Sequence, residues 1–162
     1  MLLSSIIAVA PRPAQAFGPC RSTDERVVVE LDRHLLTLCA QGKPVEQFEV
    51  RLGRGGVGKR KEGDGKTPVG VYPLGMPRKS STYGLFAPIG YPTPGQRQQG
   101  YSGGGVGIHG PHRRAAWLPG WMVNALDTSD GCVGLATDAD MQRVARWLRT
   151  AKVGVVECNH PT

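Results

Sequence analysis

Residues 26–31 read Arg-Val-Val-Val-Glu-Leu, residues 32–33 Asp-Arg, and residues 34–39 His-Leu-Leu-Thr-Leu-Cys. Two runs rich in valine and leucine, separated by a polar pair, predict a β-hairpin. Gln41-Gly42-Lys43 supplies the next turn. Pro44–Leu52 follows, and the partial alternation of Val45, Phe48, Val50 and Leu52 predicts a third strand. The chain therefore opens as a β-meander.

The rest of the sequence extends that reading. Residues 53–66 are almost devoid of apolar side chains and predict a mobile basic surface loop. Thr67–Leu74 returns to a short strand. Residues 75–104, rich in Pro, Gly, Ser and Gln, predict a long irregular region of the kind that carries function in a compact domain. Val106–His109 is a short apolar strand ending on a histidine. One segment has clear helical spacing: Met141, Val144, Ala145 and Leu148 fall on one face, behind a Thr137/Asp140 capping box. Val153–Cys158 closes as a final strand. With 23 glycines, 13 prolines and only 6% aromatic residues, the 162-residue chain is turn-rich. The expected class is mostly β (α+β), a single domain over residues 17–162, with one main helix near the C-terminus.

Residues 1–10 (Met-Leu-Leu-Ser-Ser-Ile-Ile-Ala-Val-Ala) and the small-residue site Ala14-Gln15-Ala16 read as a secretory signal over residues 1–16. The run has no preceding Lys or Arg, and Arg12 lies between it and the small-residue site; the alternative is a disordered start. The run is too short for a stable membrane span. A formal net charge of +7 suits a polyanionic partner. The aromatic residues do not interleave with the basic ones as a nucleic-acid stacking platform requires, so no nucleic acid is expected.

Four cysteines, Cys20, Cys39, Cys132 and Cys158, allow three full pairings. Cys20 and Cys39 flank the first hairpin and are expected to form the disulfide, leaving Cys132 free and Cys158 a buried thiol. Four reduced cysteines in a cytosolic protein are the other reading.

Two motifs fail on inspection. Gly53 with Gly58-Lys59 has the spacing of a phosphate-binding loop, but Arg60 stands where Ser or Thr is needed. Gly65-Lys66-Thr67 has the tail of that motif and lacks its first glycine. His109, His112 and the Cys158-Asn159-His160 segment do not form paired ligand groups, so neither metal nor other cofactor is expected.

The chemistry concentrates in Gly107-Ile108-His109-Gly110 and in residues 128–135, Thr-Ser-Asp-Gly-Cys-Val-Gly-Leu. A thiolate is a strong nucleophile, and a neighbouring histidine can take its proton. Gly131 lets backbone approach a substrate and can leave N–H groups to meet an oxyanion. The alternative is a buried cysteine and a surface histidine with no relation to each other.

Taken together, these segments resemble the L,D-transpeptidase catalytic domain, the YkuD family. That pattern has a histidine, a gap, then Ser/Thr-His-Gly-Cys-aliphatic-Asn/Arg. Here residues 110–128 form the gap, at the long end of the family's range, and Ser129, Gly131, Cys132 and Val133 match directly. The opening hairpin and Thr67-Pro68-Val69-Gly70 are also similar. The resemblance implies an L,D-transpeptidase-like β-sandwich or barrel. Cys132 would be the nucleophile and His109 the proton donor/acceptor, oriented by the backbone of Gly110. Gly131 would contribute to the oxyanion hole, and Ser129 would bind substrate. Asp130 replaces the pattern's second histidine and would either tune His109 or face solvent. Gly134 replaces its Asn or Arg. His112 also fits the spacing but lacks an apolar strand before it. In the long 75–104 region, Tyr83, Phe86 and Tyr91 are candidate cleft or lid residues, with Tyr83 and Phe86 expected to bind substrate.

The implied activity is acyl transfer from a peptidoglycan tetrapeptide stem to an amine, in cell-wall biogenesis and cell shape, in the periplasm or secreted. The implied partners are stem peptides and carbapenem-type inhibitors, and a monomer is expected. A hydrolytic L,D-carboxypeptidase or wall-protein amidase is the first alternative. A catalytically inactive wall-binding domain is the second.

Overall fold

The computed structural model describes residues 18–125 and 129–161; the expected signal segment, residues 1–16, lies outside them. The meander forms as expected: β1 (Arg26–Glu30), β2 (Leu35–Ala40) and β3 (Lys43–Arg51) pair antiparallel in sequence order. The tight turns place His34 and Gln41 at positive φ (53° and 51°), with Gly42 beside Gln41. β4 (Gly70–Pro73), β5 (Arg78–Ser80), β6 (Gly84–Pro88), β7 (Gly107–His109), β8 (Val133–Leu135) and β9 (Val155–Asn159) complete one nine-stranded sheet of order β4-β9-β1-β2-β3-β8-β7-β6-β5.

That sheet curls on itself. Beyond its ladder, the end of β4 meets the end of β6: Gly75 N–H donates to the Pro88 carbonyl and Gly90 N–H to the Pro73 carbonyl, each at 2.8 Å. Both halves of the curl contribute to one core that includes Val27, Val29, Leu38, Phe48, Ile108, Val133 and Leu135. β1 is buried on both faces. Val27 and Val29 enter the main core, while Val28 packs on the other side with Cys20 and Cys39. Those two cysteines are joined by a disulfide, and Cys158 is a buried free thiol. Burial pushes the Cys158 thiol up to about 12, so it stays protonated and inert.

Among the described residues three helices accompany the sheet, where one main helix was expected. α1 (Pro94–Gln98) is a single turn that starts at Thr93, whose side chain forms a reciprocal capping box with Gln96, with Pro94 in the first turn. α2 (Gly120–Ala125) is similarly short. α3 (Asp138–Ala151) is the helix predicted from its spacing, and Met141, Val144, Ala145 and Leu148 are all buried. Fully burying a side chain the size of Leu148 contributes roughly 1.5–3 kcal/mol. Its N-cap departs from the expected box. Thr137 Oγ1 accepts the Asp140 N–H at 3.0 Å, but its hydroxyl donates to the Asp140 carboxylate at 2.7 Å. Asp is one methylene shorter than the Glu that usually reaches back to the N-cap N–H, and it satisfies the threonine hydroxyl instead. α3 ends where Lys152 turns left-handed (φ 53°) and donates its N–H to Leu148.

The region 75–104 is not irregular throughout, since it holds β5, β6 and α1. Its glycines and prolines sit mostly at the element boundaries, and the apolar run Leu85–Ala87 is too short to announce a strand by itself. Among the described residues, no helix is long and apolar enough to cross a membrane.

Candidate active site

β7 and β8 run parallel and adjacent, with Ile108 opposite Val133 and His109 opposite Gly134. Ile108, Val133 and Leu135 face the core. Alternation then assigns Gly107, His109 and Gly134 to the opposite face, and Cys132, one residue before Val133, to the same side. Cys132 and His109 are diagonal neighbours across two strands, a separation that long side chains can bridge. The residues between them on that face, Gly107 and Gly134, carry no side chains, and the space over them is taken by Phe86 and Arg51.

His109 is only 3% exposed. Its Nδ1 lies 2.7 Å from the carbonyl oxygen of Gly110. A carbonyl can only accept, so Nδ1 carries the proton and Nε2 carries the lone pair. That Nε2 is buried without a hydrogen-bond partner among the described residues. The imidazole lies against aromatic surface, with Tyr83 over one face and Phe86 to its side. The Tyr83 ring stacks on it with centroids 3.7 Å apart, and Phe86, its register partner on β6, lies 6.2 Å away. Burial pushes the His109 pKa down to about 4; the Gly110 carbonyl opposes this, and the Arg51 guanidinium and His112 reinforce it. At neutral pH the ring is a neutral base.

The Cys132 thiol is partly exposed and rests 3.5 Å from the Gly105 carbonyl oxygen. Desolvation raises its pKa. The Gly107 backbone N–H and Ser129 hydroxyl work against that rise, Asp130 adds to it, and Lys59 opposes it. The resting pair is therefore thiol and neutral imidazole. The thiol points at the Gly105 carbonyl and makes no hydrogen bond to Nε2; turned toward Nε2 it could hand over its proton as sulfur attacks a carbonyl carbon, the logic of a base-activated cysteine.

Several expected site residues take other positions. Ser129 was expected to bind substrate. Instead its hydroxyl donates to the Cys132 carbonyl at 2.9 Å and accepts the Gly131 N–H at 3.2 Å, so it builds the turn. The Gly131 N–H is therefore directed at Ser129 and not at an oxyanion. Gly131 is still required sterically: it sits at φ +121°, and a Cβ there would stand 2.5 Å from the Lys66 carbonyl oxygen. Asp130 faces solvent and pairs with Arg54 at 2.8 Å, and the hydrogen-bond partner of His109 is the Gly110 carbonyl. Phe86 is buried (9% exposed) at the side of His109 and is a wall of the site; half-buried Tyr83 covers the imidazole. Tyr91 belongs to the core, its hydroxyl donating to the Lys59 carbonyl at 3.1 Å. His112 is exposed, and its Nδ1 accepts the Arg114 N–H at 3.1 Å.

Two features were not anticipated. The face above Gly134 is filled from β3: a Cβ there would stand 2.8 Å from Arg51 Nη2 and 3.0 Å from Cζ. Arg51 is buried and donates to the Leu135 carbonyl at 3.4 Å. Where the motif has Asn or Arg, this chain leaves room for a guanidinium from the adjacent strand. The second feature is the loop 53–66, which is largely exposed but has an internal anchor. It is folded around Asp64, whose carboxylate accepts N–H bonds from Arg60, Lys61 and Lys66 and pairs with Lys59. Burial alone would raise that carboxyl, but these donors hold it well below the usual carboxylate range. Gly53 and Ser129 form a bridge that ties the loop to the cysteine turn.

A family model for the L,D-transpeptidase catalytic domain (YkuD) matches residues 24–156. No curated protein matches the sequence. Among solved structures, the helical cell shape determining protein Pgp2 from Campylobacter jejuni is 24% identical, with a TM-score of 0.70 over 86% of this chain and 48% of that one. Bd1075 from Bdellovibrio bacteriovorus is 17% identical, with a TM-score of 0.62 over 85% of this chain and 48% of that one. An L,D-transpeptidase from Enterococcus faecium is 16% identical, with a TM-score of 0.56 over 84% of this chain and 50% of that one. At these identities the likeness is one of fold. The chain spans about half the length of the solved proteins it matches.

Proposed function

Because this chain belongs to the L,D-transpeptidase catalytic-domain family, we propose that it is a peptidoglycan acyltransferase that uses Cys132 as nucleophile and His109 as base. The donor is a tetrapeptide stem. Cys132 Sγ attacks the carbonyl of the third residue while His109 Nε2 takes the thiol proton. The terminal D-alanine leaves as its amine receives that proton, and a thioester remains. An amine of a second stem then attacks the thioester, restoring the thiol. Residues 17–162 act as one catalytic domain, in the periplasm or secreted at the bacterial cell envelope, as a monomer. Carbapenem-type β-lactams would acylate the same sulfur.

The observation that carries the reading is the buried, unpartnered Nε2 of His109, whose tautomer is set by Gly110, on the same sheet face as Cys132. A neutral base with an unpartnered lone pair on the same sheet face as a thiol supports acyl transfer over a wall-binding domain that has lost catalysis. Labelling by a carbapenem tests it. Wild type should gain one covalent adduct and Cys132→Ala none; an adduct that persists in Cys132→Ala would remove Cys132 from the role.

A further inference from the structure

Lys59 is buried (5% exposed), although it sits in the strongly basic loop 53–66, where Arg60 and Lys61 are exposed. Its ammonium donates to Asp64 Oδ1 at 2.9 Å and to the Lys61 carbonyl at 3.3 Å. Its own carbonyl accepts from Tyr91 in the core. The ammonium neutralises the buried Asp64 carboxylate, which three backbone N–H groups also hold, so the cation is fixed in place by an ion pair.

The path of the side chain is informative. Its Cδ lies 3.8 Å from where a Cβ of Gly131 would stand, and its Cε 3.3 Å from that of Gly103. The stem thus passes between the residue preceding Cys132 and the 103–105 segment, whose Gly105 carbonyl lies 3.5 Å from the sulfur. The other charged group on that face is the Arg51 guanidinium, which lies over Gly134 on the far side of the pair from Gly131. His109 is neutral, Tyr83 is a phenol whose pKa is raised by burial, and Asp130 is an anion paired outward to Arg54. Of the charged groups acting on Cys132, Asp130 disfavours the thiolate and Lys59 favours it.

We propose that Lys59 is a positioning residue for the reaction, a buried cation anchored by Asp64 that stabilises the Cys132 thiolate. No family motif quoted above includes it. The inference rests on Cys132 being the nucleophile, but not on the substrate being a stem peptide. The two can fail separately, because small alkylating agents read the thiolate directly.

The test is the pH profile of iodoacetamide alkylation of the whole protein. Cys132 is the reactive thiol among the described cysteines, since Cys158 is buried and Cys20 and Cys39 are bridged. Lys59→Met should slow alkylation at pH 7 by about tenfold and move the inflection up by about one pH unit. Lys59→Arg, which keeps the charge, should stay within about twofold of wild type. A Lys59→Met profile that overlays wild type would overturn the proposal. If Lys59→Met does not fold, wild-type protein labelled with ¹⁵N-lysine decides. The Lys59 Nζ resonance should step at the pH where Cys132 ionises, and the step should vanish once Cys132 is carbamidomethylated. A resonance that ignores Cys132 would overturn the proposal equally.

Discussion

The rings of Tyr83 and His109 stack with centroids 3.7 Å apart and planes 19° from parallel. One face of the candidate base is therefore closed to water by a residue from the segment that precedes β6. This contact keeps the imidazole in a low-dielectric setting where the charged form is disfavoured. Tyr83→Ala should raise the His109 pKa from about 4 toward its ordinary value of about 6.5, whereas Tyr83→Phe should leave it near 4. Histidine ring resonances followed across a pH titration check both.

The depressed His109 pKa also predicts how stability depends on pH. The unfolded chain binds a proton at this histidine near pH 6.5, and the folded chain only near 4. Stability conferred by the neutral ring is present above pH 6.5 and is lost as pH falls through that window, by about 3 kcal/mol in all. Asp64, whose carboxyl is held low in the folded state, adds a further loss below pH 4. Urea unfolding at pH 7, 5.5 and 4.5 should show the decline, and His109→Gln should flatten it in that range.

Gly107 is demanded by packing and not by φ. A Cβ there would collide with Phe86 Cζ and stand 2.6 Å from the Ala87 carbonyl oxygen. Gly107→Ala should destabilise the fold by about 1–3 kcal/mol and displace the Phe86 ring from beside His109. Thermal melts measure the first effect, and a reduced rate of Cys132 acylation reports the second.

The disulfide between Cys20 and Cys39 closes a sequence separation of 19 residues over the outer face of β1, against Val28. Replacing both cysteines by serine should cost about 3 kcal/mol by chain-entropy arguments. Denaturant midpoints of the variant and of the wild type, with and without reductant, check this. Reductant should lower only the wild type.

The meander, α3 and the Cys132/His109 motif were legible because each rests on a local signal. The hairpin alternates, Met141 to Leu148 recur at helical spacing, and a glycine adjoins each of the two candidate residues. β8 was not legible. Its three residues are interrupted by Gly134, and it exists because β3 and β7 pair with it from either side. The anchor inside the loop 53–66 was not legible for a related reason. The loop's composition is that of a solvated basic surface, yet Asp64 gathers its backbone N–H groups and draws Lys59 inward. The one available hint was an acidic residue between two glycines, Gly63 and Gly65. The substitution of Gly134 in the motif could be understood only with Arg51 in view, a residue 83 positions away in sequence and its direct partner across the sheet.

The central claim is that Cys132, served by neutral His109, transfers an acyl group from a peptidoglycan stem. Incubating the purified protein with disaccharide-tetrapeptide and weighing the products tests it most directly. The account predicts cross-linked dimers with loss of one D-alanine, absent in Cys132→Ala and reduced about 10²–10⁴-fold in His109→Ala. Tripeptide without dimer would transfer the acyl group to water and make the protein a carboxypeptidase. Unchanged tetrapeptide with folded wild-type protein would contradict the account.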